Sequence, residues 1–188
     1  WAQKTPDRIF LHQPVDGQLR QTTWSDAANH AACLAGALRA FDLEPGDRIA
    51  ILAKNSAEWI LADIAIAMAG FVSVPIYPTA GPETISHLLS HSGAKLVFVG
   101  KLDDPETTMA GLTDAIPRIA FPYAEIANCQ YSWQNLIDDN EPLSQVANPD
   151  PEDTMTILYT SGSTGVPKGV VISFRAYQYA SHAAAESA

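Results

Sequence analysis

Between Arg48 and Gly100 the chain alternates between two kinds of hydrophobic run, and few folds accept that alternation. "RIAILAK" is short, apolar and rich in β-branched residues, as a buried strand should be. "NSAE" follows at once, where Asn55 can cap a helix and Glu58 can reach back to it. The next run, "EWILADIAIAMAG", is apolar nearly all round, which predicts a helix covered on both sides. "FVSVPIY" reads as a second buried strand, "PETISHLLSHSG" as an amphipathic helix and "KLVFVG" as a third strand. Strand, helix, strand, helix, strand implies right-handed crossovers and a mainly parallel sheet flanked by helices, an α/β fold. The longest apolar stretch, "WILADIAIAMAGFVSVPIY", is interrupted by Asp63 and Pro75. It therefore fits a buried helix leading into a strand better than a membrane span.

The flanks extend this pattern. "RIFLHQ" and "LRQTTW" predict two short strands around the turn "VDG". Thr23 and Asp26 have capping-box spacing for a helix that starts near Ser25 and runs through "AANHAACLAGALRAF". Pro45 and Gly46 in "DLEPGD" stop it. Downstream, "PRIAFP" suits a strand and "SWQNLID" a short helix. The acidic, proline-rich "DNEPLSQVANPDPED", about residues 139–153, reads as a surface connection. After it come a strand "TMTILYT", a glycine-rich loop, a strand "KGVVIS" and a helix-like "FRAYQYASHAAAES". That helix has no stop signal, so the chain reads as cut.

Acidic residues outnumber basic ones 21 to 11, for a net charge of -10. No Lys/Arg cluster relieves that imbalance, which argues against a nucleic-acid partner. Cys33 and Cys129 lie far apart with no CxxC spacing, so free thiols in a reducing cytoplasm are expected. The chain starts at Trp1 without a basic-then-apolar leader, so no secretory signal is expected.

The feature that carries chemistry is "ILYTSGSTGVPKGVV", Ile157 to Val171. Its glycines let backbone N–H groups approach a polyanion, and its hydroxyls add further donors. Lys168 adds a mobile point charge. The spacing differs from G-x-x-x-x-G-K-[ST], because Lys168 follows Pro167 and precedes Gly169, and it differs from G-x-G-x-x-G as well. From its residues alone the loop is either a phosphate cradle or a glycine-rich turn whose hydroxyls satisfy local backbone groups.

Position for position, "ILYTSGSTGVPKG" resembles the signature of the adenylate-forming superfamily of acyl-CoA synthetases, luciferases and peptide-synthetase adenylation domains. "LEPGDRIAILAKNSAEWILADIAIAMAGFVSVPIYPT" resembles the amino-terminal part of the same enzymes. Tyr77-Pro78-Thr79 is most like the long-chain fatty acyl-CoA synthetase branch. The resemblance covers nearly all 188 residues. It implies that residues 1–188 are part of the large amino-terminal AMP-binding domain, with the carboxy-terminal part of the enzyme absent.

The resemblance implies that the parent joins a fatty acid to ATP and then passes the acyl group to coenzyme A. Fatty acid, ATP and CoA are then the partners and Mg2+ the metal. It assigns the grip on the β- and γ-phosphates to Thr160, Ser161, Gly162, Ser163, Thr164, Gly165 and Lys168, and makes the Thr160 hydroxyl a candidate Mg2+ ligand. No catalytic residue is expected within these residues, so the piece alone should be inert. Cytoplasmic location is expected, with peripheral contact with a membrane left open. The alternatives are a ligase for another carboxylate, a fatty acyl-AMP ligase serving a carrier protein, and a non-catalytic module binding a phosphorylated ligand. One departure is visible: many relatives carry Ser/Thr-His after "KGVV", where this chain has Ser173-Phe174.

Other residues carry less. His87 and His91 are four apart on a predicted helix, with Glu83 extending their face, a spacing that can hold a metal. Ile85, Leu88 and Leu89 mark the opposite, buried face, so the expectation is that these polar residues face water. His12, His30 and His182 have no ligand-like neighbours in sequence. Trp24, Trp59 and Trp133 are expected to be packing anchors.

Overall fold

The structure is a computed structural model that describes residues 1–122, 126, 128–160 and 165–186. An amino-terminal hairpin, β1 (Ile9–Val15) and β2 (Gln18–Thr23), leads into α1 (Trp24–Arg39). The alternating region then gives β3 (Arg48–Leu52), α2 (Ala57–Ala69), β4 (Val72–Ile76), α3 (Pro82–Ser92) and β5 (Ala94–Val99). Next come α4 (Pro105–Met109), β6 (Arg118–Ala120), β7 (Tyr131–Ser132) and α5 (Trp133–Asp138). The chain continues with β8 (Thr154–Thr160), β9 (Lys168–Ser173) and α6 (Phe174–Glu186).

Seven strands form one sheet in the order β7-β6-β5-β3-β4-β8-β9, parallel except for the antiparallel pair β8–β9. The expected α/β architecture is what forms. Only α4 and the two-residue β7 lie outside the elements read from sequence. Parallel strands must be covered on both faces, and strand periodicity divides the side chains accordingly. Ile49, Ile51, Leu96 and Phe98 pack under α1, α2 and α5. Ala50, Leu52, Val97 and Val99 pack against α3. β3 is central, and Ile49 to Leu52 have no exposed surface.

Local chemistry sets the helix ends. Thr23 caps α1: its hydroxyl accepts from the Asp26 N–H at 3.1 Å, and the Asp26 carboxylate accepts from the Thr23 N–H at 3.3 Å. The Thr23 hydroxyl also lies 2.7 Å from the Asp26 carboxylate, and this contact, followed by the Thr23 N–H bond, holds the carboxyl below its ordinary range. At α2 the cap is one residue later than the sequence suggested. Ser56, not Asn55, accepts from the Trp59 N–H at 3.1 Å. Glu58 does not reach back to complete a box; it is buried, 4.0 Å from the Arg20 guanidinium.

The expectation that α2 is covered all round holds in part. Leu61, Ala62, Ala65 and Ile66 are fully packed, whereas Ile60 is exposed and Trp59, Ile64 and Met68 are half-buried. Asp63 stands between α2 and the sheet beside Ser73 of β4. Burial pushes its carboxyl above the usual range, and the Ser73 hydroxyl, which makes no well-formed hydrogen bond, offsets this only in part.

The connection over residues 139–153 is exposed along most of its length, as expected, but it is strapped to the helical layer at two points. The Leu143 N–H donates to the Ala32 carbonyl at 2.9 Å, and the Ala147 N–H to the Met68 carbonyl at 2.8 Å. Gly36 makes this approach feasible, because a Cβ there would sit 2.6 Å from the Glu141 carbonyl oxygen. Cys33 and Cys129 are free. Trp133 is buried against Phe98 and Phe121, and Trp24 stacks on Phe10 with ring centroids 3.8 Å apart. No helix among the described residues is long and apolar enough to cross a membrane.

Removing the α2 cap with Ser56→Ala should cost about 1 kcal/mol in urea unfolding, while Asn55→Ala should be close to neutral. Asp63→Asn should raise the urea midpoint at pH 7. A carboxyl raised in the folded state contributes stability below its unfolded pKa of about 3.9 and loses it as pH rises through the folded value. The advantage of the amide should therefore shrink on acidification, read as the difference in midpoints at pH 7 and pH 4.

Candidate functional site

The glycine-rich loop leaves the sheet at the carboxyl end of β8 and returns as β9. The two strands pair antiparallel, with Tyr159 opposite Gly169 and Thr160 opposite Lys168. Directly opposed residues share a face. Thr160 and Lys168 therefore flank the mouth of the loop on one face of the hairpin, and both are exposed. Lys168 makes no ion pair among the described residues. Gly165 has a φ of +81°, a left-handed conformation that suits glycine. Ser161, Gly162, Ser163 and Thr164 lie outside the described residues.

The other face of the hairpin is anchored. Tyr159 is buried in the cluster formed by α3, β4 and β5. Its hydroxyl lies 2.7 Å from His91 Nδ1, and the two rings meet edge to face at 5.7 Å. His87, one turn earlier on α3, tilts against His91 with centroids 5.5 Å apart, and its Nε2 is buried without a hydrogen-bond partner. Burial pushes the Tyr159 phenol above its ordinary range, and Ser92 offsets this in part.

These contacts correct one reading from sequence. Glu83 and His91 are exposed, as expected, but the pair spaced four apart does not simply face water: His87 is half-buried and His91 turns its Nδ1 edge toward the loop-bearing strand. Helical spacing from Ile85 and Leu88 located the most buried stripe but not its margin, where α3 meets β8. The signal that was available is the alternation of β8, which puts Tyr159 on the same face as Ile157. Among the described residues, no group of three or more His, Cys, Asp or Glu could hold a metal.

Gly169 completes the anchor. A Cβ there would meet Ile157 Cγ2 at 3.0 Å and the Tyr159 ring at 3.3 Å. The glycine leaves room for the tyrosine ring to approach β9 closely. Phe174 sits at the other end of β9, where its N–H donates to the Asp153 carbonyl at 3.1 Å. It lines a cavity with Pro45, Gly70 and Val171. Six residues of strand, roughly 20 Å, separate that end from the loop.

A second concavity, about 960 Å3, opens at the carboxyl ends of β3 and β5. The chain order reverses there, which is where ligands of α/β sheets often bind. Lys54 and Lys101 line it, but so do Asp16 and Glu58, and Lys54 is paired with Asp103. Its charges cancel, whereas Lys168 at the mouth of the loop is in no ion pair among the described residues.

The family model for AMP-binding enzymes matches residues 1–187. A long-chain-fatty-acid–CoA ligase, FadD15, of Mycobacterium bovis is 30% identical over 174 residues, covering 87% of this chain and 28% of that protein. Fatty acyl-CoA synthetase A of Dictyostelium discoideum is 32% identical over 176 residues, covering 88% and 26%. Among solved structures, the acyl-CoA synthetase of Brucella canis superposes with a TM-score of 0.78 at 20% identity, covering 92% of this chain and 32% of that one. The chain thus spans little more than a quarter of the length of these curated relatives.

Gly169→Val should force the Tyr159 ring from its place and destabilise the chain by roughly 1–3 kcal/mol, the usual cost of overpacking. A melting curve that overlays wild type would show that the hairpin yields without loss.

Proposed function

This chain belongs to the AMP-binding enzyme family, and from that premise we propose that the protein containing it activates a fatty acid with ATP and transfers the acyl group to coenzyme A. The observation that carries the reading is the pair Thr160 and Lys168 at the two ends of the loop, exposed at a sheet edge, with Lys168 in no ion pair among the described residues. The long-chain fatty acid ligases among its relatives support the choice of substrate class.

In the first step a carboxylate oxygen bonds to the α-phosphorus of ATP, and the bond from that phosphorus to the bridging oxygen breaks. Acyl-adenylate and pyrophosphate result. In the second, the CoA thiol gives its proton to solvent, sulfur bonds to the acyl carbon, and the bond from that carbon to the phosphate oxygen breaks, so AMP leaves. The first step brings two anions together and expels a third, so positioning and charge neutralisation supply most of the catalysis.

Thr160, Ser161, Gly162, Ser163, Thr164, Gly165 and Lys168 are assigned to the β- and γ-phosphates. Lys168 steadies the charge that departs with pyrophosphate. Mg2+ fits this assignment, because it binds mainly to phosphate oxygens and water and needs few protein ligands. The Thr160 hydroxyl supplies one hard oxygen at the mouth of the loop, and the ion would neutralise phosphate charge. The chain itself is read as the amino-terminal part of the large domain, with the remaining substrate contacts supplied by residues outside it.

Purified full-length protein should exchange labelled pyrophosphate into ATP only when a fatty acid is present. Lys168→Ala should lower kcat/KM about 100-fold, the scale of losing one charge-stabilising group. The 188-residue chain alone should give no exchange. Failure of the full-length protein with carboxylates of every chain length would overturn the assignment.

A further inference from the structure

We infer that His91 is a positioning residue for the phosphate loop, acting through Tyr159. This rests on the reading of that loop as a phosphate grip.

The support of β8 is uneven along its length. Its ladder to β4 consists of one pair, Ser73 with Thr156, reinforced by the Thr156 hydroxyl donating to the Ser73 carbonyl at 3.1 Å. From Ile157 to Thr160 its strand partner is β9, whose Val170 and Val171 are exposed. The last residues before the loop are therefore not fixed by the ladder to β4. What ties them to the rest of the molecule is side-chain packing: Ile157 lies against the α3 cluster, and Tyr159 is buried in it one residue before Thr160.

Apolar burial alone holds an aromatic ring in a slot but leaves its position along the slot loosely defined. The polar tip defines it. A phenol hydroxyl in a buried site needs a partner, and His91 Nδ1 supplies one at 2.7 Å. Gly169 bounds the ring on the β9 side and His91 on the α3 side. His87 lies against the His91 ring, with centroids 5.5 Å apart. Because Tyr159 and Thr160 are consecutive, and Thr160 pairs with Lys168, the placement of the phenol is passed to both ends of the loop.

Losing this bond should disturb the grip on ATP more than the reaction of the carboxylate. In the full-length protein, His91→Ala and Tyr159→Phe should each raise KM for ATP about tenfold, the scale of one lost hydrogen bond, with KM for the fatty acid unchanged. The double variant should be no worse than Tyr159→Phe alone, since that change already removes the contact with His91. His91→Asn, which keeps a polar atom near the Nδ1 position, should restore most of the loss. A merely structural role would lower the active fraction and kcat together and leave KM for ATP unmoved.

Calorimetric titration of the same proteins with inorganic pyrophosphate gives a readout independent of turnover. Tighter binding by wild type and His91→Asn than by His91→Ala supports the inference even if no carboxylate is activated. Equal pyrophosphate affinity in folded wild type and His91→Ala overturns it, and so does an absence of pyrophosphate binding in wild type. If His91→Ala does not fold, Tyr159→Phe and His91→Asn decide by the same two measurements. Wild-type pyrophosphate binding without fatty-acid-dependent exchange would sink the proposed reaction while leaving this contact to be judged on affinity alone.

Discussion

Everything in this molecule depends on burying both faces of β3. A strand whose side chains are covered above and below can persist only if two helical layers form with it, and the sequence builds both from adjacent segments. α1 and α2 lie on one face and α3 on the other, joined through the short strands that flank β3. The rest of the sheet is a consequence. β6 and β7 extend one side and β8 and β9 the other, so the two ends of the glycine-rich loop, Thr160 and Lys168, stand at the margin of the sheet. Backbone donors can be held open toward a polyanion there without exposing the core.

The same arrangement reconciles an acidic chain with an anionic ligand. The overall charge is −10, yet Lys168 stands clear of carboxylates among the described residues. At physiological ionic strength charges beyond about 8 Å are largely screened. Local arrangement therefore outweighs net charge. The larger cleft at β3 and β5 makes the contrast, since its lysines share space with Glu58 and Asp16.

Periodicity made most of the architecture legible. The run from Arg48 to Gly100 could be divided correctly because a buried strand and a buried helix differ in length and in their flanking breakers. The Thr23 and Asp26 box was readable for the same reason: it is local. What could not be read depends on contacts distant in sequence. Asn55 and Ser56 are equally good caps in a string of letters, and the path of the chain out of β3 selects the second. His91 is exposed as helical spacing suggested, but that spacing describes a helix alone and could not show the strand that arrives beside it. The connection after α5 looked featureless, yet Gly36 records its close approach in the absence of a side chain. The loop was read by family resemblance, and its residues from Ser161 to Thr164 lie outside the described residues.

The Ser73–Thr156 contact has a kinetic consequence. β8 and β9 close on each other over a few residues, whereas their attachment to β4 joins positions 83 apart in the chain. Closing a long segment costs more entropy than closing a hairpin, and non-local pairing is slow. The expected order is that the β3 to β5 unit and the β8–β9 ribbon each organise locally and then meet. Until they do, an unpaired flank of β4 and the apolar side of the ribbon are both open to other chains. The loop-bearing ribbon is thus also the part of the chain most exposed to misassembly while it is being made.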